Sequence, residues 1–140
     1  MPVTLADLTT RHGLQVLQHL NAAAEVPILD GIQAQGDLFI IPLTETGRTT
    51  AGLTALPVPT SGIPVIPASG DAAHEHRLFA GAPGTATWAP IHDGQDIGIL
   101  ECTEPAYILH AEHGATGVAT GTYLLRRQRE QAKEERLVID

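Results

Sequence analysis

Residues 51–70, AGLTALPVPTSGIPVIPASG, form a segment with prolines at positions 57, 59, 64 and 67. A proline has no backbone N–H and interrupts a helix, so this segment is unsuited to a helix or to the middle of a sheet. We therefore predict an extended loop or an edge strand over 51–70. Fourteen glycines and ten prolines in 140 residues extend the argument to the whole chain, because both residue types favour short strands joined by turns.

Five apolar runs after Gln35 are typical of strands, since each is short and is bounded by glycine, proline or aspartate. They are DLFIIPL (37–43), HRLFA (76–80), IGILECT (97–103), AYILHA (106–111) and GTYLLRR (121–127). We expect residues 35–140 to form a mainly β domain, either a β-barrel or a β-sandwich.

Residues 4–25, TLADLTTRHGLQVLQHLNAAAE, are the clearest helical stretch of the chain. Thr4 is a suitable N-cap, Asp7 follows three positions later, and apolar residues recur at helical spacing. Gly13 is expected to divide the stretch, and Pro27 to end it. Residues 1–34 are therefore predicted to be a helical N-terminal arm, which makes the chain α+β overall.

The net charge of −8 argues against a general nucleic-acid binder, because contact with phosphates needs lysine and arginine. The single cysteine, Cys102, has no partner for an internal disulfide and is expected to be a small buried residue. The N-terminal residues lack a basic region followed by an apolar run, and no stretch approaches about 18 apolar residues. We expect a soluble protein without an export signal and without a nucleic-acid or membrane partner.

Residues 126–140, RRQREQAKEERLVID, carry five of the eight lysines and arginines. The segment has no apolar stripe before Leu137, which favours a solvated charged tail. The alternative is a charged docking arm.

Two pairs of histidines form the candidate metal site. His74 and His76 are two residues apart, so in a strand both side chains would face the same side. His110 and His113, in LHAEHG, suit a turn or a strand end. Together, or as three histidines with a nearby glutamate such as Glu112, they would suit zinc or another divalent metal. The alternative is that these histidines only make hydrogen bonds in turns.

No catalytic residue set stands out in the sequence. Ser61 and Ser69 lack the surroundings of a nucleophile elbow, and no glycine-rich loop precedes a helix as a phosphate site would require. We expect a structural or binding role rather than an enzymatic one.

The motifs QGDLFIIPL, HEHRLF, ECTEPAYILHAEHG and ATGTYLLRRQRE resemble, in order and spacing, a group of small uncharacterised β-rich proteins of bacteria and phages. That group has Q-G-D, then G-H-x-H, then E-E-H-A-P, then P-G-x-Y-x-V-x-R-Q-R-E-Y. The resemblance covers residues 35–140 and implies a fold but no reaction. Shared positions are Gln35, Gly36, Asp37, His74, His76, Glu112, His113, Gly121, Tyr123, Arg126, Arg127, Gln128, Arg129 and Glu130. The chain departs from the group at Ala73, where the group has glycine, and at Gln131, where it has tyrosine.

A second, shorter resemblance lies in residues 4–57. TLADLTTRHG, ILDGI and GRTTAGLTALP are similar to the N-terminal arm of tailed-phage major capsid proteins. This resemblance implies an arm that lies on or beside a protein shell.

Two classes of function follow. The first, which we expect, is a non-enzymatic accessory protein of a phage particle, of the capsid decoration or cement type, found in the cytoplasm or on the virion. It would need no cofactor and would bind a protein shell or a second copy of itself as a homo-oligomer. Its predicted partner-binding residues are Leu5, Leu8, Val16, Leu17, Leu20, Arg126, Arg127 and Arg129.

The second class is a cupin-like metal-binding β-barrel with a small-molecule binding or hydrolytic role. Its cofactor would be a divalent metal such as zinc. Its predicted metal ligands are His74, His76, His110 and His113.

Overall fold

A computed structural model describes residues 3–12, 25–68 and 74–128. Its helices are α1 (Leu5–His12) and a 3-10 turn at Leu43–Glu45. Its strands are β1 (Ile28–Leu29), β2 (Gln33–Gln35), β3 (Leu38–Pro42), β4 (Leu56–Pro57), β5 (Ile63–Ile66), β6 (His76–Phe79), β7 (Ala86–Asp93), β8 (Asp96–Cys102), β9 (Ala106–His110), β10 (Gly114–Val118) and β11 (Gly121–Arg127).

The strands form two sheets. One has five strands in the order β1-β10-β9-β6-β5, and the other has six in the order β2-β3-β11-β8-β7-β4. All pairings are antiparallel except that of β1 with β10. Among the described residues each sheet keeps two edges, so no barrel closes. The described residues are mainly β with one short α-helix, as the α+β prediction required.

The main apolar core takes its side chains from both sheets. Leu38, Ile40, Leu100 and Leu125 come from the six-stranded sheet, and Leu78, Ile108 and Val118 come from the five-stranded sheet. All seven are fully buried, and burying one such side chain stabilises the fold by roughly 1.5–3 kcal/mol.

Helix α1 begins with the predicted cap. The Asp7 amide donates to Thr4 Oγ1 at 3.1 Å, and the Thr4 amide donates to Asp7 Oδ2 at 2.9 Å. Leu8 packs in a smaller core with Phe79 and Tyr107 of the five-stranded sheet. The first part of the predicted arm is therefore packed onto the β domain. The rest of the predicted helix, from Gly13, and its residues Val16, Leu17 and Leu20 lie outside the described residues.

The proline-rich segment supplies edge strands, as predicted. β4 is an edge of the six-stranded sheet and β5 is an edge of the five-stranded sheet. Pro64 lies in β5, where its missing N–H removes no bond from a central strand.

The predicted boundary between arm and domain at residue 34 falls inside β2. Residues 28–35 already belong to the two sheets, because β1 pairs with β10 and β2 pairs with β3. Within the described ranges, the helices lack the length and apolar character needed to cross a bilayer.

Candidate functional site

Five separate segments of the chain meet in one polar pocket of about 120 Å³. The β2–β3 turn supplies Asp37, the end of β5 supplies apolar lining, and the residues at and just before the start of β6 supply the H-x-H pair. The end of β9 and the β9–β10 turn supply the second histidine pair, and the end of β11 supplies Arg127. The lining residues are Asp37, Ile66, Pro67, His74, His76, His110, Glu112, His113 and Arg127. All four predicted histidines are therefore brought together.

Gln35 connects the two sheets beneath this pocket. It lies in β2 of the six-stranded sheet and is almost fully buried. Its Nε2 donates to the backbone carbonyl of Ile108, at 2.8 Å, and to Oγ1 of Thr116, at 3.0 Å, both in the five-stranded sheet. Because a carbonyl oxygen only accepts hydrogen bonds, these contacts fix the amide orientation and leave Oε1 of Gln35 as an acceptor.

That acceptor determines the tautomer of His76. Nδ1 of His76 lies 2.8 Å from Oε1 of Gln35, so Nδ1 must carry the hydrogen and donate it. In the neutral ring, the other nitrogen, Nε2, then has a lone pair. Nε2 lies 3.1 Å from Oδ1 of Asp37, which places an imidazole lone pair against a carboxylate oxygen. This contact is favourable only when a proton or a cation lies between the two atoms.

Asp37 is held in place from its other oxygen. Nε of Arg127 donates to Oδ2 of Asp37 at 3.1 Å, and the Gln128 amide donates to the Asp37 backbone carbonyl at 2.9 Å. Burial raises the pKa of Asp37, but the hydrogen bond from Arg127, the charge that His76 carries when it is protonated and the positive charge of Arg127 outweigh burial and lower the pKa overall. The carboxylate is therefore ionised at neutral pH.

Burial has the opposite consequence for His76, whose ring is only 2% exposed. Burial, together with the charges of His113 and Arg127, lowers its pKa more than Asp37 raises it. The ring is therefore neutral at neutral pH, with its lone pair on the Asp37 side.

His110 has a different arrangement. Its Nδ1 accepts hydrogen bonds from the backbone amides of Glu112 (3.0 Å) and His113 (3.1 Å), so Nε2 carries the hydrogen in the neutral ring. Burial, followed by the charges of His76, His113 and His74, lowers the pKa of His110 to about 4. The neutral ring has no free lone pair for a metal, and we leave His110 out of the ligand set.

The remaining two histidines surround His110. Its ring centroid lies 4.6 Å from that of His113 and 5.7 Å from that of His74. His113 also packs against Gly36, where a Cβ atom would meet His113 Nε2 at 2.8 Å. Gly36 has a φ of +60°, so the tight β2–β3 turn and the position of His113 both need glycine.

The described side chains, as they are placed, contain no group of three or more histidine, cysteine, aspartate or glutamate ligands around one point. Two potential ligand atoms already lie close together, Nε2 of His76 and Oδ1 of Asp37. A third ligand from His74 or His113 would need rotation of that side chain.

The predicted partner-binding residues are scattered. Leu5 and Leu8 are buried inside the chain, Arg126 pairs with Asp96, and Arg127 belongs to the pocket. Arg129 lies outside the described residues. These positions form no single surface in the described part of the chain, and their partner role stays a prediction.

The sequence reasoning missed the roles of Gln35 and Asp37. Both appeared only as positions shared with the resembling group, and the available signal was the Q-G-D motif itself. A glycine between two polar residues marks a tight turn that can direct both side chains toward one site.

Comparison with known proteins gives one finding. No curated protein and no solved structure matches the chain. A family model for a domain of unknown function, DUF8820, matches residues 34–128, which include Gln35, Asp37, the four histidines and Arg127. The chain belongs to the DUF8820 family.

Proposed function

We propose that this protein binds a divalent transition metal of the zinc class, with His76 and Asp37 as its first two ligands. The observation that carries the proposal is the chain of contacts from Gln35 through His76 to Asp37. Metal-binding histidines generally donate their second ring N–H to a carbonyl or carboxylate, which fixes the tautomer and the ring orientation. Gln35 does this for His76 at 2.8 Å.

The distance between the two ligand atoms suits the proposal. Nitrogen and oxygen ligands at about 2.0–2.2 Å from a tetrahedral zinc ion are about 3.3–3.6 Å apart. Nε2 of His76 and Oδ1 of Asp37 are separated by 3.1 Å, so a small adjustment would accommodate an ion. An ion there would also replace the unfavourable contact of lone pair and carboxylate.

A third ligand would come from the neighbouring histidines. His113 lies against Gly36, the residue before Asp37, and His74 lies two residues before His76, the first residue of β6. Either ring would approach the ion after rotation, and water would complete the shell. The set is one carboxylate with imidazole nitrogens, which suits zinc, and the wider pocket adds Glu112.

The role we propose for the metal is binding and stabilisation rather than catalysis. Asp37 lies in the β2–β3 turn of the six-stranded sheet and His76 in β6 of the five-stranded sheet, so an ion between them would tie the two sheets of an open β-sandwich together. We favour this arrangement over a cupin-like barrel because each described sheet has two edges.

Metal analysis of the purified protein tests this function. We expect about one zinc per chain after dialysis against zinc, and an increase in the melting temperature that follows from binding to the folded state alone. Asp37→Asn and His76→Ala should abolish both. His92→Ala is the matched control, because His92 is exposed on β7 and does not line the pocket.

Two results would overturn the metal proposal. One is the absence of bound metal in the folded wild-type protein. The other is stoichiometric binding that survives in a folded Asp37→Asn variant and a folded His76→Ala variant, since the ion would then lie elsewhere.

A second candidate function is the accessory role on a phage particle. One structural observation favours it: Ile28, Leu29 and Ile32 are large apolar residues that are 40%, 51% and 63% exposed, in the segment that resembles capsid-protein arms. Exposed apolar side chains close together are typical of interaction surfaces. The occupant would be a protein shell.

This role is better tested by point variants than by removing residues 1–34. The deletion would also remove Leu8 and Val26 from the smaller core and β1 from its sheet, so loss of binding would have two explanations. Leu29→Ser with Ile32→Ser should abolish co-sedimentation with particles, whereas His92→Ser, an exposed change on β7 outside residues 4–57, should not. Unchanged co-sedimentation of the double variant would refute the surface.

A further inference from the structure

A second pocket, of about 240 Å³, lies at the C-terminal end of α1. Its walls come from α1, from the segment between β4 and β5, and from the loop after β6. It shares no lining residue with the histidine pocket, so it is a separate site.

The walls of this pocket are mainly apolar. Val58, Ala80 and Pro83 provide the apolar surface, and Val58 is only 4% exposed. The polar groups are few: the Thr60 hydroxyl, the Arg11 guanidinium and the His12 ring. An apolar pocket with a small number of polar groups is the usual form of a small-molecule site.

His12 supplies an unsatisfied polar atom there. Its ring stacks on Phe79, with centroids 3.7 Å apart and planes inclined by 20°. Its Nε2 is almost inaccessible to solvent and, among the described residues, is the one buried side-chain nitrogen or oxygen without a hydrogen-bond partner. Such atoms are rare in native proteins and call for a ligand or a water as partner. Burial and then the charge of Arg11 lower the pKa of His12, so the ring is neutral at pH 7 and its Nε2 can carry a hydrogen.

Arg11 gives the pocket its charge preference. Its side chain is exposed and forms no ion pair within the described residues. A guanidinium with free N–H groups binds a carboxylate through two parallel hydrogen bonds. At the C-terminal end of a helix, where the backbone dipole is negative, a carboxylate would need this positive charge beside it.

From these contacts we propose that the pocket binds a small monocarboxylate with an apolar body. Its carboxylate pairs with Arg11, and its apolar part lies against Val58, Ala80 and Pro83. A rotation of the His12 ring brings Nε2 to the same carboxylate, to which it then donates a hydrogen bond. The pocket is smaller than the roughly 300–1,000 Å³ of drug-sized sites, so a ligand of about ten non-hydrogen atoms, such as benzoate or hexanoate, fits. This proposal does not depend on the metal site.

Titration of the full-length protein with benzoate, followed by the amide signals in NMR spectra, tests the proposal. We expect shifts in the amide signals of Thr60, Ala80, Gly81 and Ala82, which line the pocket. The Kd should lie in about the millimolar range or below for a ligand of this size. Benzamide has nearly the same shape without the charge and should bind at least about tenfold more weakly, since one charged pair contributes about 1.5–3 kcal/mol.

Two variants separate the ligand contacts from folding. Arg11→Gln should weaken benzoate binding about tenfold or more and leave benzamide unchanged. His12→Phe keeps an aromatic ring against Phe79 but removes Nε2, so it should weaken benzoate while the variant unfolds at the same or a higher urea concentration. His92→Phe, on an exposed position of β7, is the matched control.

Four results would overturn the proposal. The first three are the absence of shifts at about 10 mM benzoate, about tenfold above the expected Kd, equal binding of benzoate and benzamide, and wild-type affinity in both variants. A destabilised His12→Phe variant would also contradict it, because Nε2 would then have a partner within the fold.

Discussion

His76 and Asp37 face each other across the two sheets, with Nε2 and Oδ1 separated by 3.1 Å. The ring cannot donate through both nitrogens while it is neutral, and Gln35 has already taken the hydrogen on Nδ1. The contact between Nε2 and Oδ1 is therefore favourable only when a proton or a metal cation lies between the two atoms. The fixed amide of Gln35 gives this site its chemistry, although Gln35 does not line the pocket.

Gln35→Leu should destabilise the protein strongly. Leucine has a similar volume but leaves Nδ1 of His76 buried without a partner, at a cost of about 1–3 kcal/mol, and removes the hydrogen bond to the carbonyl of Ile108. We expect the free energy of unfolding in urea to fall by about 2–4 kcal/mol, and metal affinity to fall by about 10–100-fold.

Gln33→Leu is the matched control in the same strand. Gln33 is partly exposed and donates to the carbonyl of Gly117 at 3.0 Å, so water can replace its bond. Its loss should cost about 1 kcal/mol or less. Equal losses in the two variants would contradict the role given to Gln35.

The lowered pKa of His110 predicts that the protein is less stable in acid. The pKa of this histidine is about 4 in the folded state and 6.5 as the ordinary value, so the unfolded chain binds more protons between these values. Stability is therefore fully present above pH 6.5 and is lost as the pH falls toward 4, by up to about 3 kcal/mol from this residue. His76 and His12 also have lowered pKa values and add to the loss in the same direction.

His110→Asn isolates that contribution. The asparagine oxygen can accept the amide hydrogen bonds of Glu112 and His113 but does not titrate. Urea unfolding at pH 7 and at pH 4.5 should show a smaller loss for the variant than for the wild type. An unchanged pH dependence would show that His110 is not the group responsible.

The sequence predicted the strands whose apolar residues form unbroken runs. GTYLLRR was predicted as a strand and is β11, and IGILECT lies within one residue of β8. β7 was missed because ATWAPIHD interrupts its apolar residues with Pro90, and β10 was missed because GATGV has two glycines. Gly117 of β10 is explained by the fold: a Cβ atom there would lie 2.5 Å from the carbonyl oxygen of Pro27.

The site was predictable only in part. Alternation along a strand places His74 and His76 on one side, and both rings do lie next to His110. The contact of Gln35 with Ile108 joins residues of different sheets, and no local periodicity carries that information. The tautomers also need atomic contacts, because they depend on which nitrogen meets an acceptor.

Two aspartates near the start of β8, Asp93 and Asp96, should differ in how much they contribute to stability. Asp96 accepts from Nε of Arg48 and from Nε of Arg126, both at 2.6 Å, and its side chain is 12% exposed. Asp93 accepts from the same Arg48, but its side chain is 73% exposed. Asp96→Ala should lower the free energy of unfolding by about 1–3 kcal/mol, since it leaves two arginines facing each other.

Asp93→Ala should change the free energy of unfolding by less than about 1 kcal/mol, because exposed ion pairs contribute little. Urea unfolding at low and at high salt measures the loss in each variant, and the wild type should show the larger salt dependence. A larger loss for Asp93→Ala than for Asp96→Ala would contradict this ranking.

Gly36→Ala tests the turn that places Asp37 beside His76. Gly36 has a φ of +60°, and an added Cβ would meet Nε2 of His113 at 2.8 Å. Gly84 has a φ of +77° and open space around its Cβ position, so Gly84→Ala has the same backbone strain without the clash. The strain should cost each variant about 1–2 kcal/mol in urea unfolding. Only Gly36→Ala should also displace the His113 ring and weaken zinc binding measured by calorimetry, whereas equal zinc affinity in the two variants would remove His113 from the proposed ligands and leave His74 as the third.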